Sequence, residues 1–393
     1  METTARIIIR KGAQHRVENG HPWVYQTEIG AIEGEFSPGD IVDVYNHRQR
    51  FIGRGYINPR SQIIVRLLTR EQEPINRDFF RSRIKQAWDF RRRFLAEPEY
   101  CRLIFGEADF LPGLIVDKFG DYLVMQSLAL GIDRYSADIV SILDELFAPA
   151  GIYERNDVPV RRLEGLEQRK GFIKGNFDTL IQVRENGLPF YADIENGQKT
   201  GFFYDQRENR AAIRGLVDGA EVLDCFCHTG SFSVHAAVYG AKQVTAIDIS
   251  EEAIALARKN AALNSVADRC EFVTANAFDA LRAMSDEAKR YDVVILDPPA
   301  FAKSRSALEG AVRGYKEINL RGLKLVKPGG FLITCSCSYH MDRELFSAVI
   351  VDAARDARRA IRQLDYRYQA KDHPILPAAP ETNYLKFMVL QVL

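Results

Sequence analysis

Neither charge is in surplus: 53 Lys and Arg residues balance 53 Asp and Glu in a chain of 393. Bulk charge therefore advertises no nucleic-acid partner, and any such surface must be a local patch. No apolar run approaches the roughly 20 residues needed to cross a bilayer, so no membrane partner is read. The start, Met1 to Lys11, is short, mixed and basic, without the apolar core of a signal peptide, and a cytoplasmic protein is expected. Cysteine is scarce, at six residues, and none forms a Cys-x-x-Cys pair, which excludes a small disulfide scaffold and a zinc ribbon. Internal repeats and low-complexity stretches are absent. So is a full Gly-x-Gly-x-x-Gly, which counts against a bound dinucleotide.

What is present is the profile of a soluble globular protein, 46% hydrophobic and 27% charged, long enough for two or three domains. From Arg6 to about Leu68 short strands alternate with turns, spaced as in a small barrel: Ile7 to Ile9, a stretch through Trp23 to Tyr25, Ile41 to Tyr45, Phe51 to Tyr56 and Ile63 to Leu68. Lys11, Arg16, Arg54, Arg60 and Arg66 offer a basic face on it, the candidate RNA contacts of this region, against the plainer reading of solvated arginines. Arg77 to Ala96 has helical spacing, and its Arg91-Arg92-Arg93 run reads as a wet face. An α+β segment follows, with a hairpin across Gly120-Asp121, a helix from Tyr135 to Phe147, a strand at Gly151 and a closing strand from Phe190 to Ile194. It contains no catalytic cluster.

After Gly219 the pattern changes to repeated βα units, which predict a parallel sheet with helices on both faces. Strands are expected at Glu221–Cys225, Gln243–Asp248, Cys270–Thr274, Tyr291–Leu296 and Phe331–Thr334. Helices are expected between them, one capped by Ser250 and one from Leu308 to Val326 stopped by Lys327-Pro328-Gly329-Gly330. Two closing strands, Arg362–Tyr368 and Tyr384–Leu393, flank a Pro-rich loop. Polar residues collect at the strand ends. Asp224, Phe226 and Gly230 lie on the first strand–loop–helix, Asp248 and Ile249 end the second strand, and Asn276 and Ala277 end the third. One acidic residue and one glycine at the first turn, with a second acidic residue roughly 20 positions on for ribose hydroxyls, suit S-adenosylmethionine. Upstream, Lys199, Thr200, Gly201, Phe203, Asp205, Gln206 and Arg207 form a loop too rich in aromatic and polar groups for a linker, read as running into a helix to Leu216 that covers the cofactor.

The fourth strand ends in Asp297-Pro298-Pro299-Ala300-Phe301. Paired prolines stop a strand and stiffen the loop that follows, presenting a carboxylate, carbonyls and an aromatic face to a flat, amine-bearing ring. Cys335 and Cys337 end the neighbouring strand. A thiolate adding to carbon 6 of a pyrimidine makes carbon 5 able to take a methyl group, and position alone does not choose between the two thiols. Cys225, Cys227, His228, Cys335, Cys337 and His340 gather at one predicted edge, but their spacing matches no zinc pattern and no metal is expected.

The chain resembles the RlmI-type 23S ribosomal RNA cytosine-5 methyltransferases along nearly its whole length. The residues that carry the resemblance are His21-Pro22-Trp23-Val24, Gly106 to Leu114, Lys199 to Arg207, Asp297 to Phe301, Arg313 to Asn319 and Ser336-Cys337-Ser338. The resemblance implies a multidomain fold: an N-terminal PUA-like β-barrel over 1–72, a small α+β connector over 73–190, and a C-terminal Rossmann-like class I methyltransferase over 191–393. It implies S-adenosylmethionine as cofactor and large-subunit ribosomal RNA as partner. Cys337 is then the nucleophile, Asp297 grips base and cofactor, and Pro298, Pro299 and Phe301 wall the base. Cys335 departs from the family, where an aromatic residue is familiar. Two other functions stay in view: methylation of a guanine or adenine nitrogen without a thiol adduct, and a non-catalytic RNA-binding module with a cofactor pocket. A homodimer stays open.

Overall fold

Short β-branched runs punctuated by Gly and Pro give the first part of the chain its strands, and the computed structural model describes residues 5–302 and 304–393. The first four residues of the Met1–Lys11 start lie outside the described residues. The chain divides into two units: Met1–Val183 with Ala192–Tyr204 and Lys371–Thr382, and Arg184–Tyr191 with Asp205–Ala370 and Asn383–Leu393.

In the first unit, strands Arg6–Ile9 (β1), Trp23–Tyr25 (β2), Ile29–Glu33 (β3), Ile41–Tyr45 (β4), Phe51–Ile57 (β5) and Ile63–Thr69 (β6) form a sheet ordered β2-β6-β5-β4-β1-β3, with a short helix Gln14–Glu18 (α1). Ile7, Ile9, Val24, Val42, Val44 and Val65 bury together as its core. Strand β3 escaped the sequence reading because it is an edge strand whose residues are mostly exposed, so it lacks the apolar alternation that marks a half-buried strand. Helix Arg77–Phe94 (α2) starts where the Asn76 side chain accepts from the Phe79 N–H. One expectation fails on it. Arg92 and Arg93 are exposed, but Arg91 is fully buried, paired with Asp109 at 2.5 Å and donating to the carbonyls of Arg102 and Asp372 at 2.8 and 2.7 Å. It falls one turn beyond Ile84 and Ala87 on the inward face, so the run is not uniformly wet.

Strands Tyr100–Phe105 (β7), Leu114–Phe119 (β8), Tyr122–Ser127 (β9), Gly151–Asn156 (β10) and Arg169–Lys174 (β11) make a second sheet, ordered β11-β10-β9-β8-β7. Helices Leu130–Arg134 (α3), Ser136–Phe147 (α4) and Val160–Leu163 (α5) accompany it. The β8–β9 hairpin turns at Gly120, with φ +64°, as expected. Strands Leu180–Glu185 (β12) and Leu188–Asp193 (β13) pair as a two-stranded ribbon. Its turn, Asn186-Gly187, has both residues at positive φ (53° and 80°), the geometry for which Asn-Gly is favoured. That dipeptide is the signal that would have marked β12.

The second unit follows the βα reading closely. Helix Arg207–Ala212 (α6) precedes strand Glu221–Cys225 (β14), helix Ser231–Val238 (α7), strand Gln243–Asp248 (β15), helix Glu251–Leu263 (α8), strand Cys270–Thr274 (β16) and helix Ala277–Asp286 (α9). Strand Tyr291–Leu296 (β17), helix Leu308–Leu325 (α10), strand Val326–Ser336 (β18), helix Arg343–Ala357 (α11) and strands Ile361–Arg367 (β19) and Lys386–Val392 (β20) complete it. The sheet is ordered β16-β15-β14-β17-β18-β20-β19, parallel from β16 to β18, with β20 antiparallel to both neighbours. Two details differ from expectation. The segment to Leu216 is not one helix but α6 flanked by 3₁₀ turns at Tyr204–Gln206 and Arg214–Leu216. Lys327-Pro328-Gly329-Gly330 does not separate helix from strand; it is a bulge inside β18, because Val326 already pairs with Tyr291 before the register shifts. Gly329 takes φ +84° there, and a Cβ on Gly330 would sit 2.5 Å from the Asp292 carbonyl. Among the described residues no helix is long and apolar enough to cross a membrane.

Candidate functional site

Parallel pairing of β15, β14, β17 and β18 sends their carboxyl ends to one edge, where crevices form in open α/β sheets. Register sets the neighbours: Cys225 pairs with Leu296 and Leu296 with Thr334, so Asp297 leaves β17 beside the end of β14 and level with Cys335 in register. Its N–H still donates to the Cys225 carbonyl, at 3.4 Å.

Asp224 is fully buried. One carboxylate oxygen accepts from Ser233 Oγ at 2.5 Å, and the other has no hydrogen-bond partner. Burial pushes its pKa to about 7; Asp297 and Asp248 add repulsion, while Ser233 and Arg210 pull the other way. A buried carboxylate oxygen left unmatched is costly, and it fits a ligand donor such as the amino group of an amino-acid moiety. The loop after it is strained. Phe226 and His228 hold φ +64° and +50°, a conformation costly for side-chain-bearing residues. The His228 N–H donates to Asp248 at 2.9 Å and the Ser250 N–H to its other oxygen at 3.0 Å, so Asp248 fastens the loop as well as facing the edge.

Gly230 also has a packing reason. It takes φ +77°, and a Cβ there would lie 2.9 Å from Ala257 Cβ and 3.1 Å from the Phe272 ring. The missing side chain admits α8 and β16. Gly230→Ala is expected to cost about 1–3 kcal/mol through strain and overpacking, read as a lower midpoint in denaturant unfolding. Asn276 is exposed and caps α9, accepting from the Phe278 N–H at 2.9 Å, with Ala277 buried behind it. Ile249 stands out at 71% exposed, an unusual exposure for isoleucine beside a carboxylate.

Asp297 is half-buried and accepts from Gln206 Nε2 at 3.0 Å. Gln206 is held in turn by Asn209, which donates to its side-chain oxygen at 2.6 Å. Burial raises Asp297 to about 6, offset by Arg210 and the hydrogen bonds of Gln206 and Cys335, with Asp205 raising it further. Asp205 accepts from Tyr384 OH at 2.5 Å, and the Arg207 side chain is buried. The structure separates the two thiols. Cys335 is fully buried, its pKa pushed well above the ordinary thiol range by burial and then by Asp297. Cys337 is half-exposed, and its S–H donates to the Pro298 carbonyl over 3.8 Å. Pro298 is buried and Pro299 exposed. Phe301 packs on Tyr315 at 4.7 Å between centroids and on Phe278 at 5.7 Å. Tyr315, inside the Arg313–Asn319 segment, bonds Ser338 and Ser336 at 3.0 Å each, bracing the turn that carries Cys337.

The expected covering segment falls in both units. Asp205, Gln206 and Arg207 belong to the second, while Lys199, Thr200, Gly201 and Phe203 belong to the first. Thr200 is fully buried and its hydroxyl donates to Asp117, which is also paired with Arg102 at 2.5 Å. The Lys199 ammonium lies 4.7 Å from the centroid of the Phe203 ring, and Gly201 takes φ +111° against the Asp193 carbonyl.

Three of the five candidate RNA cations are engaged within the first unit, and Arg60 is exposed. Arg16 pairs with Glu28 at 2.7 Å, Arg54 with Asp43 at 2.7 Å, and buried Arg66 with Glu164 at 2.7 Å; Lys11 is exposed. Arg66 in particular is a core ion pair, not a surface for phosphate. Arg66→Ala leaves Glu164 buried without its cation and is expected to cost about 3–5 kcal/mol in stability, seen as a lowered melting temperature in the absence of RNA. Among the described residues no three His, Cys, Asp or Glu side chains are placed to hold a metal ion.

Comparison with known proteins gives two family matches: a PUA-like domain over residues 7–70 and an S-adenosylmethionine-dependent methyltransferase over 168–386. The chain is 40% identical to ribosomal RNA large subunit methyltransferase I of Klebsiella pneumoniae strain 342, covering 99% of this chain and 98% of that one. It is 39% identical to the protein of that name from Escherichia coli O139:H28, over 99% and 100%. A candidate S-adenosylmethionine-dependent methyltransferase from Streptococcus mutans shares the fold at TM-score 0.84 and 21% identity, over 98% of this chain and 100% of that one.

Proposed function

The chain belongs to the ribosomal RNA large subunit methyltransferase I family of S-adenosylmethionine-dependent methyltransferases, and from that premise we propose that it methylates carbon 5 of a cytosine in large-subunit ribosomal RNA through a Cys337 adduct. The observation that carries the reading is the contact of the Cys337 thiol with the Pro298 carbonyl, which sets a half-exposed sulfur on the Asp-Pro-Pro loop. S-adenosylmethionine supplies the electrophilic methyl group when bound. Asp224, through its unpartnered oxygen, would receive the amino-acid moiety; Asp248 would take the ribose hydroxyls, and exposed Ile249 and Asn276, backed by Ala277, would border the adenine.

In this reading the target base leaves its stack, at a cost of a few kcal/mol, and lies against Pro298, Pro299 and Phe301. Cys337 thiolate adds to carbon 6. Asp297, ionising near 6, accepts from the exocyclic amine or holds a proton at ring nitrogen 3, which draws charge from carbon 5 into the ring as the adduct forms. Cys335 packs against Asp297 and takes no part as nucleophile, since a thiol that resists ionisation is a poor one. Lys11, exposed on the first unit, is retained as an RNA contact; Arg16 and Arg54 are kept as partly exposed cations whose charge is shared with a carboxylate, and Arg66 is given a structural role. We divide the chain as 1–72, 73–190 and 191–393, with the PUA-like part binding RNA by shape and backbone. An enzyme of ribosomal RNA is placed in the cytoplasm with its substrate. The homodimer gains no support from the relatives, and we propose no partner subunit.

Mass-spectrometric mapping of ribosomal RNA from cells with and without the protein tests the reading. Loss of one 5-methylcytosine from large-subunit RNA is expected. Loss of a methylated guanine or adenine instead would overturn it, and an unchanged map would favour the non-catalytic RNA-binding alternative.

A further inference from the structure

Strand β20 delivers a lysine to the thiol end of β18. Ser336 and Lys386 are cross-strand partners in the antiparallel ladder, so the Lys386 side chain arises one residue from Cys337. It is almost closed off from solvent, at 3% exposure, and its Nζ donates to the carbonyls of Ser338 and Tyr384, both at 2.7 Å. A buried ammonium held by two neutral carbonyls lacks a full counter-charge. Burial accordingly pulls its pKa down to about 8, while Cys337 and then Asp342 push the other way. Asp342 caps α11, its carboxylate accepting from the Leu345 N–H at 2.8 Å. On the other side of Cys337, burial raises the Tyr315 phenol to about 12 and the Cys335 thiol well above its usual range. Both stay neutral near pH 7 and bring no charge to the sulfur. Asp297, beyond Cys335, brings a negative one.

We propose that Lys386 is the positioning residue that activates Cys337: its ammonium stabilises the thiolate electrostatically, and its bond to the Ser338 carbonyl fixes the backbone that carries the sulfur. The proposal rests on Cys337 being the nucleophile. Lys386 keeps its proton throughout. The Cys337 S–H gives its proton to solvent, and the sulfur lone pair forms the bond to carbon 6 while the carbon 5–carbon 6 π pair moves to carbon 5. That pair forms the bond to the methyl group, and S-adenosylhomocysteine leaves with the electrons of the broken sulfur–methyl bond. A carboxylate or water then takes the carbon-5 proton, the pair returns to the ring double bond, and the carbon–sulfur pair departs as thiolate. The ammonium thus serves twice, favouring the nucleophile on entry and the leaving group on exit. A lysine suits this better than a neutral donor, because an opposite charge within about 4–6 Å moves a pKa by roughly 1–3 units.

Iodoacetamide alkylation of Cys337 in the full chain, followed by peptide mass spectrometry across roughly pH 5 to 10, reads the thiolate directly without RNA or turnover. In the unmodified chain Cys337 is expected to titrate below the free-thiol value of about 8.5, and Lys386→Met is expected to raise that midpoint by about one unit or more. An alkylation profile unchanged by Lys386→Met, in a variant that still binds S-adenosylmethionine in calorimetry, overturns the proposal. If the variant fails to fold, the profile of the unmodified chain decides: a midpoint at or above about 8.5 overturns it. Methylation that survives Cys337→Ala would remove the nucleophile reading while leaving the alkylation result intact, so the two failures are distinct.

Discussion

Replacing Cys337 by alanine is expected to remove methylation of ribosomal RNA, by roughly 10⁴-fold or more, the scale on which loss of a covalent nucleophile acts. The variant is also expected to form no covalent complex with 5-fluorocytosine RNA, because the trap requires a bond from sulfur to carbon 6. Cofactor affinity is expected to stay within about twofold, since Asp224 and Asp248 meet the loop after β14 whereas Cys337 follows the end of β18. Cys335→Ala provides the contrast. Its thiol is fully buried on β18 and faces Asp297, so the variant is expected to retain the trap and to lower the melting temperature. Undiminished turnover by Cys337→Ala would eliminate the adduct mechanism and leave amine methylation at Asp297-Pro298-Pro299, which needs the carboxylate and carbonyls but no sulfur.

The contrast between these thiols marks where sequence stops being informative. The βα alternation after Gly219 made the second unit's sheet legible: β14, β15, β16 and β17 fall on the residues read for them, because each is a short apolar run closed by a turn signal. The strand-end polar residues were legible for the same reason, since the end of each run is visible. Side-chain burial was not. Cys335 and Cys337 are two residues apart, one on β18 and the other just past its end, and present identical chemistry in sequence, yet one is sealed and the other half-exposed. Arg66 and Arg91 read as surface cations because nothing local announces their carboxylates; Glu164 lies 98 residues from Arg66 and Asp109 18 from Arg91. Gly230 was found as essential, but its contact with Ala257 and Phe272, which only packing brings near, was not legible. Lys386 escaped notice altogether. It lies in a closing strand that pairs antiparallel across a long connection, and no motif spacing links it to Cys337.

Asp224→Asn is expected to stabilise the free protein while abolishing tight cofactor binding. The folded pKa of Asp224 is about 7, against about 3.8 for an ordinary aspartate. A raised carboxyl pKa means the folded state holds a proton that the unfolded chain has released, so stability falls as pH rises from about 4 to about 7. The loss is complete above the folded pKa. Three units at about 1.4 kcal/mol each bound the cost at roughly 4 kcal/mol, and relaxation of the site reduces it. Asparagine keeps the shape and can still meet the Ser233 hydroxyl, without the charge, so the variant is expected to unfold at higher temperature at pH 8 and near the parent's temperature at pH 5. Cofactor binding runs the opposite way. A carboxylate that must be ionised to receive the ligand's donors loses affinity in acid, about tenfold per unit below pH 7, whereas the asparagine variant binds weakly with no such slope. Calorimetric titration with S-adenosylmethionine at pH 6 and 8, beside thermal melts of both proteins, measures the two effects together. A variant that melts lower at pH 8, or one that binds with the parent's affinity and pH slope, would show that the unpartnered oxygen of Asp224 is not where the cofactor's donor sits.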